Sequence, residues 1–510
     1  MIMNNYHPEK RIKNIVIVGG GSAGWMAASA LSKVLKNNYA NIHLVESHAI
    51  GTVSVGEATI PQLRLFNSIL GIDEDEFMRQ TQGTFKLGID FIDWKEKGSQ
   101  YLHSFGTYGT DMDAIQFHHY WLKMFNLDKA PDLESFSLAA LAARAGRFSR
   151  PQNVRNSPLA DIAYAYHFDA TLYAKFLKKY SINNGVKHTE AKVQKVNKDA
   201  DSGFITSIDL DNGDTVAGDL FIDCTGFKGL LIEQAMGIEF EDWSHWLPCD
   251  SAVAMPCESA EPIIPYTRST AQESGWTWRI PLQHRVGNGY VYPSRFVTDE
   301  QAVKLLEEKM ENKPLAKPNF LKWKTGIRKR FWEKNCIAIG LSAGFLEPLE
   351  STGLHLIQSG IAKLLGLFPH AGFNQVDIDT YNQQADYEAR RIRDFIILHY
   401  KVTNREDSEF WRYCKHMSVP EHLQEKIALY KSSGRIYRKE TELFNETSWL
   451  AVMHGQGIRT NGYHPLVDTL SEQEITRRLN HIKKVIDNSL NSMPMHEEFI
   501  ARNCQSAPMT

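Results

Sequence analysis

Gly19-Gly20-Gly21-Ser22-Ala23-Gly24 gives this chain the spacing G-x-G-x-x-G between an apolar strand and a helical pattern. Gly19, Gly21 and Gly24 permit a tight turn, close backbone approach to a pyrophosphate, and helix–strand packing. The helix opening at Ser22 and Ala23 adds free amide donors and a dipole that favours phosphate. Glu46 ends the next strand, 22 residues after Gly24, where a carboxylate accepts from adenosine ribose hydroxyls. Strand, turn, helix and acid together point to a dinucleotide site. The plainer alternative is a glycine-rich turn without a ligand.

Four further groups carry chemistry. Trp276 and Trp278 lie two apart in WTWRIP, so an extended segment projects both indoles to one side as a rigid aromatic partition. On pattern alone, a strand packed into a core is the commoner reading. His103 and Phe105, in HSFG, share a strand face from which two rings can stack on a flat ligand. Lys86 alternates with Phe85 and Leu87, on the side of a strand that normally meets water. Glu350 precedes Ser351-Thr352-Gly353 and an apolar helix, whose free N–H groups and dipole suit an anion. An acid there also complements a helix start in an ordinary way, and Glu347 competes with it for any role.

These groups need a scaffold, and 510 residues suffice for two or three lobes around a large core. A hydrophobic content of 43% and a charged content of 23% are those of an ordinary globular protein. With 57 basic against 60 acidic residues there is no basic field for nucleic acid and no cationic amphipathic stretch for a membrane surface. The start, MIMNNYHPEKRIKN, lacks a signal-peptide core, and the longest apolar runs, such as 25–31, fall far short of a membrane span. Six cysteines show no C-x-x-C pair and no zinc spacing, so no metal site is expected. A reduced, cytoplasmic setting is the simplest inference.

Strands are expected at 12–18, 42–46, 85–94, 187–197, 203–210, 220–226 and 336–340. A helix runs from the glycine turn to about Lys36, and another over 170–182 is capped by Asp169. Asp211-Asn212-Gly213 reads as a hairpin turn, and 313–318 as a surface connection. From about 351 onward the pattern is mostly helical, near 353–367, 377–398, 420–433 and 471–489. Interleaved elements without a long linker argue for interwoven modules.

The stretch 276–281 resembles the W-x-W-x-I-P signature of the flavin-dependent tryptophan halogenase family. GEATIP (56–61), GTFKLGIDFIDW (83–94), HSFG (103–106) and FLEPLESTGL (345–354) resemble further segments of that family, in register. The likeness runs across roughly residues 12–360 and more loosely beyond. It implies an α/β fold of the FAD-binding aromatic-hydroxylase type, Rossmann-like at the nucleotide. Residues 1–350 would form the FAD module, interwoven with substrate-binding β segments at about 85–330. A mostly helical module, 351–510, would complete the substrate pocket. FAD is implied because the sheet resumes so late, with Gly226 and Gly340 at strand ends near the flavin.

By the same resemblance, Lys86 and Glu350 are catalytic, Trp276 and Trp278 wall the flavin from the substrate, and the backbone of Thr352 and Gly353 holds the halide. His103 and Phe105 line the substrate pocket. Reduced FAD from a separate flavin reductase, dioxygen, and chloride or bromide would give hypohalous acid. Lys86 would carry it as a haloamine or hold it by hydrogen bonding. The segment 448–468, SWLAVMHGQGIRTNGYHPLVD, does not match the set that grips free tryptophan. Indole or a simple derivative is therefore the expected substrate, with Trp449, His454 and Tyr463 near the pocket or in the core. The expectation leaves room for a homodimer. The rival readings are an FAD-dependent aromatic hydroxylase and a flavin-binding protein without turnover.

Overall fold

A computed structural model describes residues 11–47, 56–155, 157–259, 261–439 and 442–508. Most of the polar amino-terminal stretch therefore lies outside the described residues. Asn14–Val18 is a run of β-branched residues, fully buried beyond its first residue, and forms the centre of a six-stranded sheet. It pairs in parallel with Asn41–Glu46 on one side and Leu220–Asp223 on the other. Lys187–Glu190 extends one flank, and Cys336–Ala338 with Trp332–Glu333 extends the other. Parallel strands buried on both faces read as continuous apolar runs, which is why the segments at 14–18, 220–223 and 336–338 were visible in the sequence. The chain thus leaves its first sheet after Glu46, rejoins it at Lys187, and returns again at Leu220 and at Trp332 to Ala338, the late returns falling on the apolar runs at 220–226 and 336–340.

Between those visits it builds a seven-stranded sheet in the order Asn319–Lys322, Ser251–Ala254, Val286–Tyr292, Trp276–Pro281, Thr267–Ala271, Gly88–Ile92, Gln100–Ser104. Trp276–Pro281 lies inside it and is buried along its whole length. Behind these layers, helices dominate the last third, including Gly353–Gly366, Gln375–Lys401, Glu421–Ser433 and Glu472–Asn491, close to the expected spans. Asp169 caps the helix Ala170–Asn183 by accepting from the amides of Thr171 and Leu172. Residues 211–213 turn an antiparallel hairpin, and 313–318 is exposed but for its last residue.

Two strand expectations are corrected. The segment 187–197 is interrupted after Glu190, where its second part leaves the parallel sheet to pair with Ile205–Leu210. More consequentially, 85–94 is not one strand. Thr84–Lys86 pairs with Ala165–Asp169 in a three-stranded sheet, whereas Gly88–Ile92 belongs to the seven-stranded one. The chain changes sheets at Leu87. A side chain at Gly88 would meet the carbonyl oxygen of His103 at 2.5 Å, so only glycine admits that close pairing. The expected water side of Lys86 is therefore the interior between layers.

Candidate active site

The glycine turn, both indoles and the amino end of the helix Gly353–Gly366 face one cavity of about 970 Å³. Gly19, with φ +116°, turns the chain where a Cβ would strike the carbonyl of Cys224 at 2.1 Å. Gly24 lets the helix pack back on the turn, since a Cβ there would lie 1.8 Å from the Gly19 oxygen. Gly21 differs: nothing lies within 4 Å of its ideal Cβ, so this glycine leaves open space for something other than protein. Ser22 and Ala23 begin the helix Ser22–Tyr39 and line the same cavity, as does Gly340, whose close partner is the methyl of Ala23.

Glu46 sits at the end of its strand as expected. Its Oε1 accepts from Lys178 at 2.7 Å and lies 2.8 Å from the His188 ring. Its Oε2 borders Gly20, where a Cβ would meet it at 1.6 Å. Gly20, passed over in the sequence, thus makes room for this carboxylate.

Lys86 is fully buried, and Nζ donates to the Thr59 carbonyl and to Ser351 Oγ, each at 2.9 Å. Burial lowers its pKa from 10.5 to about 7, opposed by the nearby carboxylate of Glu350. The Phe105 ring lies 5.4 Å from the ammonium. Ser351 reaches Lys86 from a left-handed backbone, φ +58°, costly for a residue with a Cβ and maintained by the surrounding turn. Its neighbour Glu350 is likewise buried. His103 Nδ1 lies 3.0 Å from Glu350 Oε2, and His399 Nε2 lies 2.7 Å from Oε1. Burial alone would raise this carboxyl, but the two rings outweigh it and hold it at about 2. The structure thus brings together Lys86, Glu350, His103 and Phe105, with Ser351 as the link.

His103 is buried, bonded to Glu350 and packed edge-on against Phe395. Trp276 and Trp278 project together, their ring centroids 6.2 Å apart, and both line the cavity. Gly289, opposite Trp278 in the neighbouring strand, gives that indole its room, since a Cβ there would lie 2.0 Å from the ring. Thr352 is buried with Oγ1 unpartnered among the described residues, directly before the helix that starts at Gly353. A Cβ on Gly353 would meet nothing within 4 Å. Trp449 packs edge-on against Phe395, His454 edge-on against Trp121, and Tyr463 donates to Asp468. Trp449 and His454 are buried, and Phe395 lies between Trp449 and His103.

A model of the tryptophan halogenase family matches residues 14–472, most of the chain. The chain belongs to the tryptophan halogenase family. Tryptophan 6-halogenase SttH of Streptomyces toxytricini is 35% identical over 98% of this chain and 99% of its own length. Tryptophan 7-halogenase RebH of Lentzea aerocolonigenes is 34% identical over 96% and 98%. Among solved structures, the flavin-dependent halogenase Xcc4156 from Xanthomonas campestris superposes with a TM-score of 0.95 at 46% identity, covering 98% of this chain and all of that one. BrvH, a flavin-dependent halogenase from Brevundimonas sp. BAL3, gives 0.93 at 44% identity, covering 96% and 99%.

This halogenase has the expected α/β, FAD-type fold, uses FAD and a halide, and halogenates an aromatic of the tryptophan or indole kind. The hydroxylase and non-catalytic readings fall away. An FAD fits the residues present: the space over Gly21, the helix terminus beside it, and a cavity continuous from Glu46 to both indoles. A halide fits the orphaned Thr352 hydroxyl at the terminus of a 14-residue helix. Among the described residues no His, Cys, Asp and Glu cluster is arranged to hold a metal, and no helix is long and apolar enough to cross a membrane.

Sequence reasoning missed His399 and Tyr400, which approach the site from the middle of a fold far downstream. Their only signal was two polar aromatic residues directly after the apolar run 395–398, near the end of a long helix.

Proposed function

We propose that this halogenase acts on indole or a simple indole derivative, with Lys86 and Glu350 as catalytic residues. The observation that carries the reading is the buried Lys86–Ser351 hydrogen bond, which fixes an amine beside a carboxylate inside the fold. FAD, once bound and reduced by a separate flavin reductase, supplies hypohalous acid from dioxygen and chloride or bromide. Gly19, Gly21, Ser22, Ala23, Gly24, Glu46 and Gly340 hold the dinucleotide. The backbone of Thr352 and Gly353 holds the halide.

Trp276 and Trp278 keep the organic ring from the flavin, so oxygen is not inserted directly. Lys86 receives the oxidant. An amine whose pKa is about 7 is available both as a nucleophile and as a hydrogen-bond donor near neutrality, so either role suits it. Glu350, held at about 2, is a persistent anion. It stabilises the cationic ring formed when halogen adds, and it is base enough for so acidic a ring proton. His103 and Phe105 shape the substrate side. Residues 1–350 act as the FAD module, interwoven with substrate-binding strands at about 85–330, and 351–510 complete the pocket. Six unpaired, buried cysteines support a cytoplasmic setting, and a homodimer fits the reading.

The test is mass spectrometry over a panel of indole compounds, with reductase, NADH and chloride or bromide run separately. Halogenated indole without halogenated tryptophan is expected. Lys86→Ala should abolish halogenation while FAD binding persists. Retained product in that variant rejects Lys86 as catalytic, and preferential turnover of free tryptophan rejects the substrate assignment.

A further inference from the structure

Glu347 lies three residues before Glu350 in the same turn, and the chemistry above leaves it without a role. Its side chain is fully buried. Oε1 accepts from the indole N–H of Trp276 at 3.0 Å and from the Tyr400 hydroxyl at 2.5 Å. Oε2 is buried with no hydrogen-bond partner among the described residues. Burial raises its pKa to about 7, against the pull of those two donors. A buried carboxyl without a cation is costly, and an apolar residue of similar size would be cheaper. What the fold gains is direction. The buried Trp276 ring packs against Trp94 and Trp278, at 6.3 and 6.2 Å between centroids, contacts that carry no polar direction of their own. A hydrogen bond to Nε1 fixes one orientation.

Tyr400 and His399 are adjacent on the helix Gln375–Lys401, and they reach different glutamates of one turn. His399 meets Glu350, and Tyr400 meets Glu347. The partition and the catalytic carboxylate are therefore set from a single helical position.

We propose that Glu347 is a positioning residue: with Tyr400 it fixes the Trp276 indole against the cofactor cavity and ties it to the turn that carries Glu350. This rests on the reading of Trp276 and Trp278 as the wall between flavin and substrate. Without the carboxyl, the indole N–H and the Tyr400 hydroxyl lose their shared acceptor and the wall loosens. Turnover then leaks: the two electrons and two protons of reduced FAD end on dioxygen, giving oxidised FAD and hydrogen peroxide in place of halogenated indole.

The experiment measures halogenated indole against hydrogen peroxide formed per reduced FAD, in full-length Glu347→Leu, Glu347→Gln and Trp276→Phe enzymes with reductase, NADH and bromide. Glu347→Leu should lower the product-to-peroxide ratio roughly tenfold, about the population change for losing one buried charge-assisted hydrogen bond. Glu347→Gln, whose amide oxygen still accepts from both donors, should recover most of it. Trp276→Phe keeps a buried ring but removes the donor, so it should leak as Glu347→Leu does, and it decides the matter should Glu347→Leu not fold. With active enzyme, counted by bound FAD, held in excess over reduced FAD so that no free flavin reacts with dioxygen, a merely structural role leaves the ratio unmoved.

A wild-type ratio in Glu347→Leu, or in Trp276→Phe, overturns the proposal. Trp276→Ala separates it from the reading beneath it. If that variant also keeps the wild-type ratio, the partition itself is wrong. If it leaks while Glu347→Leu does not, only the role of Glu347 falls.

Discussion

Replacing Lys86 by methionine should make the protein more stable at neutral pH, although it removes the reactive amine. Folding carries this side chain from water, where its pKa is 10.5, into an interior where it is about 7. At ~1.36 kcal/mol per pH unit, that difference corresponds to roughly 5 kcal/mol of folding free energy for an ammonium ion. Methionine fills nearly the same volume without that cost. Against the gain, the Thr59 carbonyl and Ser351 hydroxyl lose their donor, at about 1 to 1.5 kcal/mol each. The net is a stabilisation of about 2 kcal/mol at pH 7.

The sign then changes with pH. Between about 7 and 10.5 the unfolded chain holds the proton and the folded chain does not, so wild-type stability rises with pH relative to the variant by ~1.4 kcal/mol per unit. By pH 9.5 the methionine variant should be the less stable protein, by roughly 1 kcal/mol. Urea unfolding of both proteins without FAD, followed by tryptophan fluorescence at pH 7 and 9.5, measures this. A variant already less stable at pH 7, or a difference that does not move with pH, refutes the account of Lys86 as an amine held against its hydration.

Four other outcomes are expected. Glu350→Gln should fold and bind FAD but lose roughly 10²- to 10⁴-fold in halogenation rate, the usual worth of such a group, read by product formation under saturating halide. Gly21→Ala should leave stability without FAD within about 0.5 kcal/mol of wild type, because its Cβ meets no protein atom, yet weaken FAD binding in a fluorescence titration. Gly20→Ala, by contrast, should lower stability even without FAD, because Glu46 must move. Gly289→Ala should push the Trp278 ring from its place and raise peroxide release per reduced FAD, with FAD affinity unchanged.

The features legible in the sequence were those dictated by local rules. The strand 14–18, the glycine turn and the helix behind it are fixed by apolar runs and backbone sterics, and they were read with close boundaries. Lys86 was the instructive failure of pattern. Alternation placed it toward water, and only family likeness assigned it a role, because the change of sheets at Leu87 depends on partners at 165 and 104 that no period encodes. His399 clamps Glu350 across 49 residues of chain, and Gly289 accommodates Trp278 from a neighbouring strand. Both matter through tertiary contact alone. Glu46 illustrates the intermediate case: its position followed from spacing, whereas its engagement with Lys178 and His188 did not.

The change of sheets at Leu87 has a bearing on how such an enzyme diversifies. Residues before it are registered on one sheet and residues after it on another, so the amine is moored from two independent directions. On the proposed site, substitutions beyond Tyr400 in the helical carboxy-terminal third can reshape the organic ligand's chamber while the backbone of Lys86 keeps its register, whereas Ser351, His399 and Tyr400 hold the reactive groups and cannot be varied freely. Acceptance of new aromatics and retention of the halogenating step are thereby separable. Remodelling efforts have the freest hand where the chain is anchored by neither sheet.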